Sequence, residues 1–63
     1  MVVFYGLLVE KGEKYLVIRL SKEVEVVVYG TANVDVGSYV ELRCIAKKWK
    51  NRLIFLIAGG ENA

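Results

Sequence analysis

From Tyr39 to Lys47 the chain alternates without a break: Val40, Leu42, Cys44 and Ala46 fall on one side, and Tyr39, Glu41, Arg43, Ile45 and Lys47 on the other. A period of two is the signature of a pleated strand, whose successive side chains leave opposite faces, and it does not fit the 3.6-residue repeat of a helix. The pattern returns in Leu16, Ile18 and Leu20 against Tyr15, Val17 and Arg19, and in Val24, Val26 and Val28 against Glu25, Val27 and Tyr29. In each case the first trio is expected inward and the second outward. Ser21-Lys22-Glu23 lies between these two runs and makes them a hairpin.

Two further runs complete a set of five: Val2 to Val9, which leaves through Glu10-Lys11-Gly12-Glu13, and Arg52 to Ala58, which follows the polar turn Lys48 to Asn51. The second run begins at about Lys14, and Thr31 to Ser38 is a loop with room for one helical turn at most. Residues 59–63, Gly-Gly-Glu-Asn-Ala, are expected to fray. The whole of residues 1–63 is then one small all-β domain. Five short antiparallel strands with open edges favour association, and closure into a barrel removes those edges. Gly6, isolated in the first run, suits either a point where that strand bends to join both sheets or an ordinary packing position. Val2 to Val9 and Leu53 to Ala58 carry no charge on either face. Their outer sides call for a cover, and a homo-oligomer contact through strands one and five is the simplest.

At 63 residues the chain lies near the lower size at which a hydrophobic core alone sustains a fold. One cysteine and no histidine remove an internal disulfide and a zinc site as supports. Cys44 falls on the apolar side of its run and is expected in the core. No segment reaches the roughly 18 apolar residues of a membrane helix. The start Met-Val-Val-Phe lacks the basic leader of a secretory signal, so a cytoplasmic location is expected. Charge carried mainly by Lys and Glu, with no His, Gln or Pro, leans towards a thermophilic source. Without a nucleophile–base pair or a metal constellation the chain is not expected to be an enzyme, and no cofactor is implied.

The segments Tyr5-Gly6-Leu7-Leu8-Val9, Val24 to Gly30 and Val36-Gly37-Ser38-Tyr39-Val40-Glu41-Leu42 together resemble a compact OB-fold of the tRNA-anticodon-binding and replication-protein type. The last segment is similar to the Val-Gly-Asp-x-Val-x-Val entry to the fourth strand of such barrels, with Ser38 in place of the Asp. The resemblance spans nearly the whole chain and implies a five-stranded barrel. Its third-to-fourth-strand loop is short for the usual helix at the barrel end, and an SH3-like or Sm-like barrel stands as the alternative.

The most pointed local feature is Lys47-Lys48-Trp49-Lys50-Asn51-Arg52, four cations around the only tryptophan. Lysine and arginine neutralise phosphates, and an exposed indole offers a face for a base. In an OB barrel the first hairpin loop, the last hairpin loop and the face of strands two and three line the binding groove. The matching residues here are Lys11 and Lys14, then Tyr15, Arg19 and Tyr29, then Lys47, Lys48, Trp49, Lys50 and Arg52. Tyr5 and Tyr39 are taken as structural. Residues 1–30 balance four basic against four acidic side chains, whereas 31–63 hold five against three, so the net +2 is concentrated in the last turn. The expectation is a non-catalytic module for single-stranded DNA or RNA, with a protein-interaction or oligomerisation module, or an accessory subunit without nucleic-acid binding, as the rival.

Overall fold

The computed structural model describes residues 1–63, built as β1 (Val2–Lys11), β2 (Tyr15–Ser21), β3 (Val24–Tyr29), β4 (Tyr39–Trp49) and β5 (Arg52–Asn62). Around the barrel the order is β1-β2-β3-β5-β4, and β1 pairs with β4 to close it. β3 and β5 are parallel, and every other pairing is antiparallel. An up-and-down meander would leave β4 beside β3. The exchange of β4 and β5 instead yields an OB-like order, in the five-stranded barrel that the resemblance implied. No helix is long and apolar enough to cross a membrane.

Closure depends on β1 serving two neighbours. Val2 to Leu7 pair with β4, and Leu7 to Lys11 pair with β2. The changeover falls at Gly6, where a Cβ would overlap the carbonyl oxygen of Arg19 and stand 2.9 Å from its carbonyl carbon. Gly6 is therefore the bend, and only a residue without a side chain lets the two strands cross so closely.

Leu8, Leu16, Ile18, Val28, Val34, Val40, Leu42 and Cys44 form the buried core. The alternation assigned most of them correctly. It fails for Leu20, Val24 and Ala46, expected inward but exposed. Val24 and Ala46 keep the inward parity, but they sit where the β2–β3 and β4–β5 hairpins outrun the barrel body, while Leu20 falls at a register shift between Arg19 and Ser21 that leaves it unpaired. At that end the interior is capped by Phe4 and Phe55, packed edge to face with centroids 5.0 Å apart.

The opposite end is plugged by a loop residue. Val34 is buried within Gly30–Ser38, which contains no helix, and filling that place with its side chain contributes about 1.5–3 kcal/mol. The loop is tied down by Lys11 Nζ donating to the Val34 carbonyl at 3.0 Å and by Gly37 N donating to the Leu8 carbonyl at 2.8 Å. Residues 59–63, expected to fray, require correction, because Gly59 to Asn62 continue β5. Glu61 lies opposite Glu41 and Asn62 opposite Val40, and Ala63 N donates to the Tyr39 carbonyl at 2.8 Å. The Asn62 amide also donates to Asp35 Oδ2 at 2.9 Å. β4 is long enough to pair with this tail, once a bulge at Ala58 resets the register.

Cys44 is buried as expected, and burial raises its thiol pKa, which suppresses the reactive thiolate. Ellman's reagent is accordingly expected to leave the native protein unlabelled over the minutes in which the denatured chain reacts with one equivalent. Equal rates in the two states would show that the β4 core position is open to solvent.

Candidate nucleic-acid interface

The outer face of the β2–β3 hairpin is a ladder of three cross-strand pairs, Tyr15 with Tyr29, Val17 with Val27 and Arg19 with Glu25. Strand parity alone places all six outward, as expected. Two of the polar groups already have partners. The Tyr15 hydroxyl donates to the Glu10 carboxylate, and that bond, helped by the adjacent negative charge, raises the phenol pKa. Arg19 donates to Glu25 Oε2 from Nε at 3.0 Å and from Nη2 at 2.7 Å. Both side chains of this pair are exposed, so it orients the arginine more than it stabilises the fold.

The second arm is the β4–β5 hairpin. Its turn is only Lys50 and Asn51, with φ of 50° and 62°. Two successive positive φ values suit the right-handed twist of the flanking strands, and Asn-Gly is the usual occupant of such a turn. A lysine in the first position carries a steric cost, since bulky side chains disfavour the left-handed region. With so tight a turn, Lys48, Trp49 and Arg52 become strand residues, and parity separates them. Trp49 pairs with Arg52 and Lys47 with Ile54 on the outer side, while Lys48 pairs with Leu53 on the other. The four cations thus surround the arm instead of forming one patch. None of them is in an ion pair. Lys50 Nζ lies 4.6 Å from the Trp49 ring centroid, a cation–π contact.

Between the two arms the barrel wall is open. β3 and β5 meet only where Tyr29 pairs with Leu56. Nearer the hairpin tips they part, leaving a cleft of about 390 Å³ walled by Glu25, Val27 and Tyr29 on one side and Trp49, Arg52 and Phe55 on the other. An adjoining depression on the outer surface is lined by Tyr29, Trp49, Ile54 and Leu56 alone. The tyrosine is 46% exposed and the tryptophan 53%.

The main chain adds polar groups to this cleft. Gly30 N donates to the Lys14 carbonyl at 2.8 Å, which makes that pair a hydrogen-bonded one. By the antiparallel alternation Val28 and Val26 also bond towards β2, so the N–H and C=O of Glu25 and Val27 face the opening. The cleft therefore combines aromatic rings, an apolar floor, unpaired backbone donors and acceptors, and one free cation, Arg52, on its wall.

Among the residues singled out from sequence, Tyr15, Tyr29, Trp49 and Arg52 lie on or beside this cleft, and Arg19 borders it through Glu25. Lys47, Lys48 and Lys50 stand on the arm around it. Lys14 is exposed at the first turn, apart from the cleft, and Lys11 is engaged by the Val34 carbonyl. Sequence reasoning did not place Ile54, Leu56 and Phe55 at a site. Their signal was the two-sided apolarity of the fifth strand, whose outward Ile54 and Leu56 line the depression together with Tyr29 and Trp49. Comparison of the chain with family models, with curated proteins and with solved structures returns no match, so its assignment rests on this geometry.

Proposed function

We propose that the protein is a non-catalytic module that binds single-stranded DNA or RNA across the outer face of β2 and β3 and in the cleft between β3 and β5. The observation that carries this reading is the convergence of two half-exposed aromatic rings, Tyr29 and Trp49, on one apolar opening whose wall includes the unpaired Arg52, with Lys47, Lys48 and Lys50 on the adjoining arm. Rings of this kind hold unstacked bases by their π-faces, which a duplex keeps hidden. The net charge of +2 is too small to hold duplex DNA by charge alone.

The division of labour follows from the side chains. Trp49 and Tyr29 stack with bases, and Tyr15 extends the platform beside Tyr29. Lys47, Lys48, Lys50 and Arg52 meet phosphates, and Lys50 leaves the indole face for a phosphate as a base takes its place. Arg19, steadied by Glu25, and Lys14 guide the strand along β2. Stacking tolerates every base, so sequence preference is weak.

The test is titration of labelled single-stranded oligonucleotides with simultaneous reading of Trp49 fluorescence and anisotropy. Both signals are expected to change. The affinity should fall with salt at a log–log slope of about −2 to −3, as for three or four neutralised phosphates on a single strand. No change in either signal at low salt overturns the reading.

A further inference from the structure

The two walls of the cleft match each other. β3 and β5 are parallel and in register at Tyr29 and Leu56. Two residues nearer the tips stand Val27 on β3 and Ile54 on β5, and two residues further Glu25 and Arg52. Glu25, Val27 and Tyr29 share the outward parity of their strand, and Arg52, Ile54 and Leu56 share that of theirs. Carried past Tyr29, the same register sets an aliphatic side chain beside an aliphatic one, then a carboxylate beside a guanidinium. The charges are free to meet. Arg52 is in no ion pair, and Glu25 commits only Oε2 to Arg19, which leaves Oε1 without a partner.

The main chain matches as well. Lys50 and Asn51 form a two-residue turn, so the flanking Trp49 and Arg52 are a hydrogen-bonded pair. By alternation Ile54 also bonds towards β4, and Leu53 and Phe55 turn their N–H and C=O towards β3. A parallel ladder needs this arrangement, because a residue on one strand bonds to the two residues that flank its partner on the other. Val27 stands opposite Ile54, and the flanking Leu53 and Phe55 are the residues whose polar groups point across. What holds the tips apart is the twist of two-stranded ribbons, which is larger than that of a wide sheet.

We propose that these walls zip together, extending the β3–β5 ladder from Tyr29 and Leu56 to Val27 with Ile54 and Glu25 with Arg52. The cleft then has a shut state made from its own two sides. In that state the chain itself fills the opening of about 390 Å³, and Arg52 is held by Glu25. Neither the cavity nor the cation is free for a ligand. A nucleic-acid strand therefore binds the open state alone, and its apparent affinity is reduced in proportion to the open fraction. Glu25, the one acid on the cleft wall, has no use in holding phosphates; as the ionic lock of the shut state it has one. The zipping follows from the strand register whatever the cleft binds, and only its regulatory effect rests on the nucleic-acid reading.

Glu25→Cys combined with Arg52→Cys tests this, because a disulfide needs Cα atoms within about 7 Å and so forms only when the tips meet. Both positions are exposed, Cys44 is buried, and circular dichroism checks that the variant folds. In dilute protein oxidised mildly with copper–phenanthroline, a cross-link within one chain is expected, read by mass spectrometry as the loss of two hydrogens. Glu25→Cys combined with Leu53→Cys should cross-link more slowly by about tenfold or more, since Leu53 has the opposite parity although it is the next residue. The oxidised 25–52 variant should bind a single-stranded oligonucleotide more weakly than its reduced form by about tenfold or more, the worth of one base held in the cleft. Reductant should restore the affinity. No cross-link, or equal rates for the two pairs, overturns the zipper, and equal affinity of the oxidised and reduced forms overturns its regulatory effect. If the unmodified protein binds no oligonucleotide, the nucleic-acid reading fails, while the cross-link still decides the zipper.

Discussion

Gly6→Ala is expected to lower the melting temperature by about 15 °C, the shift that roughly 3 kcal/mol produces in so small a domain. An alanine in place of a strand glycine ordinarily stabilises by about 0.5–1 kcal/mol. The sign reverses here because of what the methyl group meets. Its carbon would overlap the Arg19 carbonyl oxygen, and Ile18 Cγ1 stands 3.2 Å away. The first of these is backbone in the middle of β2 and cannot rotate aside. Relief requires β1 and β2 to separate at the point where β1 changes partners, which strains both the β1–β2 and the β1–β4 pairings. A chain of this length holds a total of about 3–9 kcal/mol, so the loss is a large fraction of what keeps the barrel closed. Thermal unfolding followed by circular dichroism measures it. A melting point within about 3 °C of the parent, less than 1 kcal/mol by the same scaling, would mean that the bend does not depend on the missing side chain.

Trp49→Ala is expected to weaken oligonucleotide binding by tenfold or more, since one lost base–aromatic stack is worth about 1–3 kcal/mol. On its own this loss would not separate a binding residue from one that merely covers Ile54. Lys50→Asn provides the separation. Asparagine suits the left-handed backbone at φ 50° better than lysine does, so the turn should gain a few tenths of a kcal/mol in stability. Binding should nevertheless weaken at low salt, and the salt slope should fall by about 0.7 as one phosphate contact is lost. Stability and affinity then move in opposite directions. If Lys50→Asn leaves both the affinity and the slope unaltered, the tip cation has no part in recognition.

The alternation of residues predicted which side chains face inward along the body of the barrel, and β3 begins and ends where its pattern does. Alternation is blind to how far neighbouring strands overlap and to a bulge, so Val24 and Ala46 have inward parity without a neighbour to bury them and Leu20 falls at a break in register. The glycine pair 59–60 looked like a fraying end because its role depends on β4, which passes alongside it. Val34 was hidden for a related reason. A single valine in an irregular loop shows no periodicity, yet the absent helix leaves a vacancy of its size. The aromatic and basic residues of the cleft could be listed from sequence, but their grouping depends on β3 and β5 parting beyond Tyr29 and Leu56. That divergence is a property of two strands far apart in the chain. The capture of the Lys11 ammonium by the Val34 carbonyl is equally non-local.

The single meeting of β3 and β5 at Tyr29 and Leu56 also bears on how the molecule holds together. Every other junction in the barrel is a ladder of several residue pairs, so this one is the seam along which the cylinder opens first. A molecule seated between the two arms takes the place of the missing rungs and binds the closed form in preference to the opened one. Its binding free energy then appears as folding stability, about 2.7 kcal/mol at a hundredfold excess over the dissociation constant. For a domain with so small a core, occupancy of the cleft and integrity of the fold become two readings of one equilibrium.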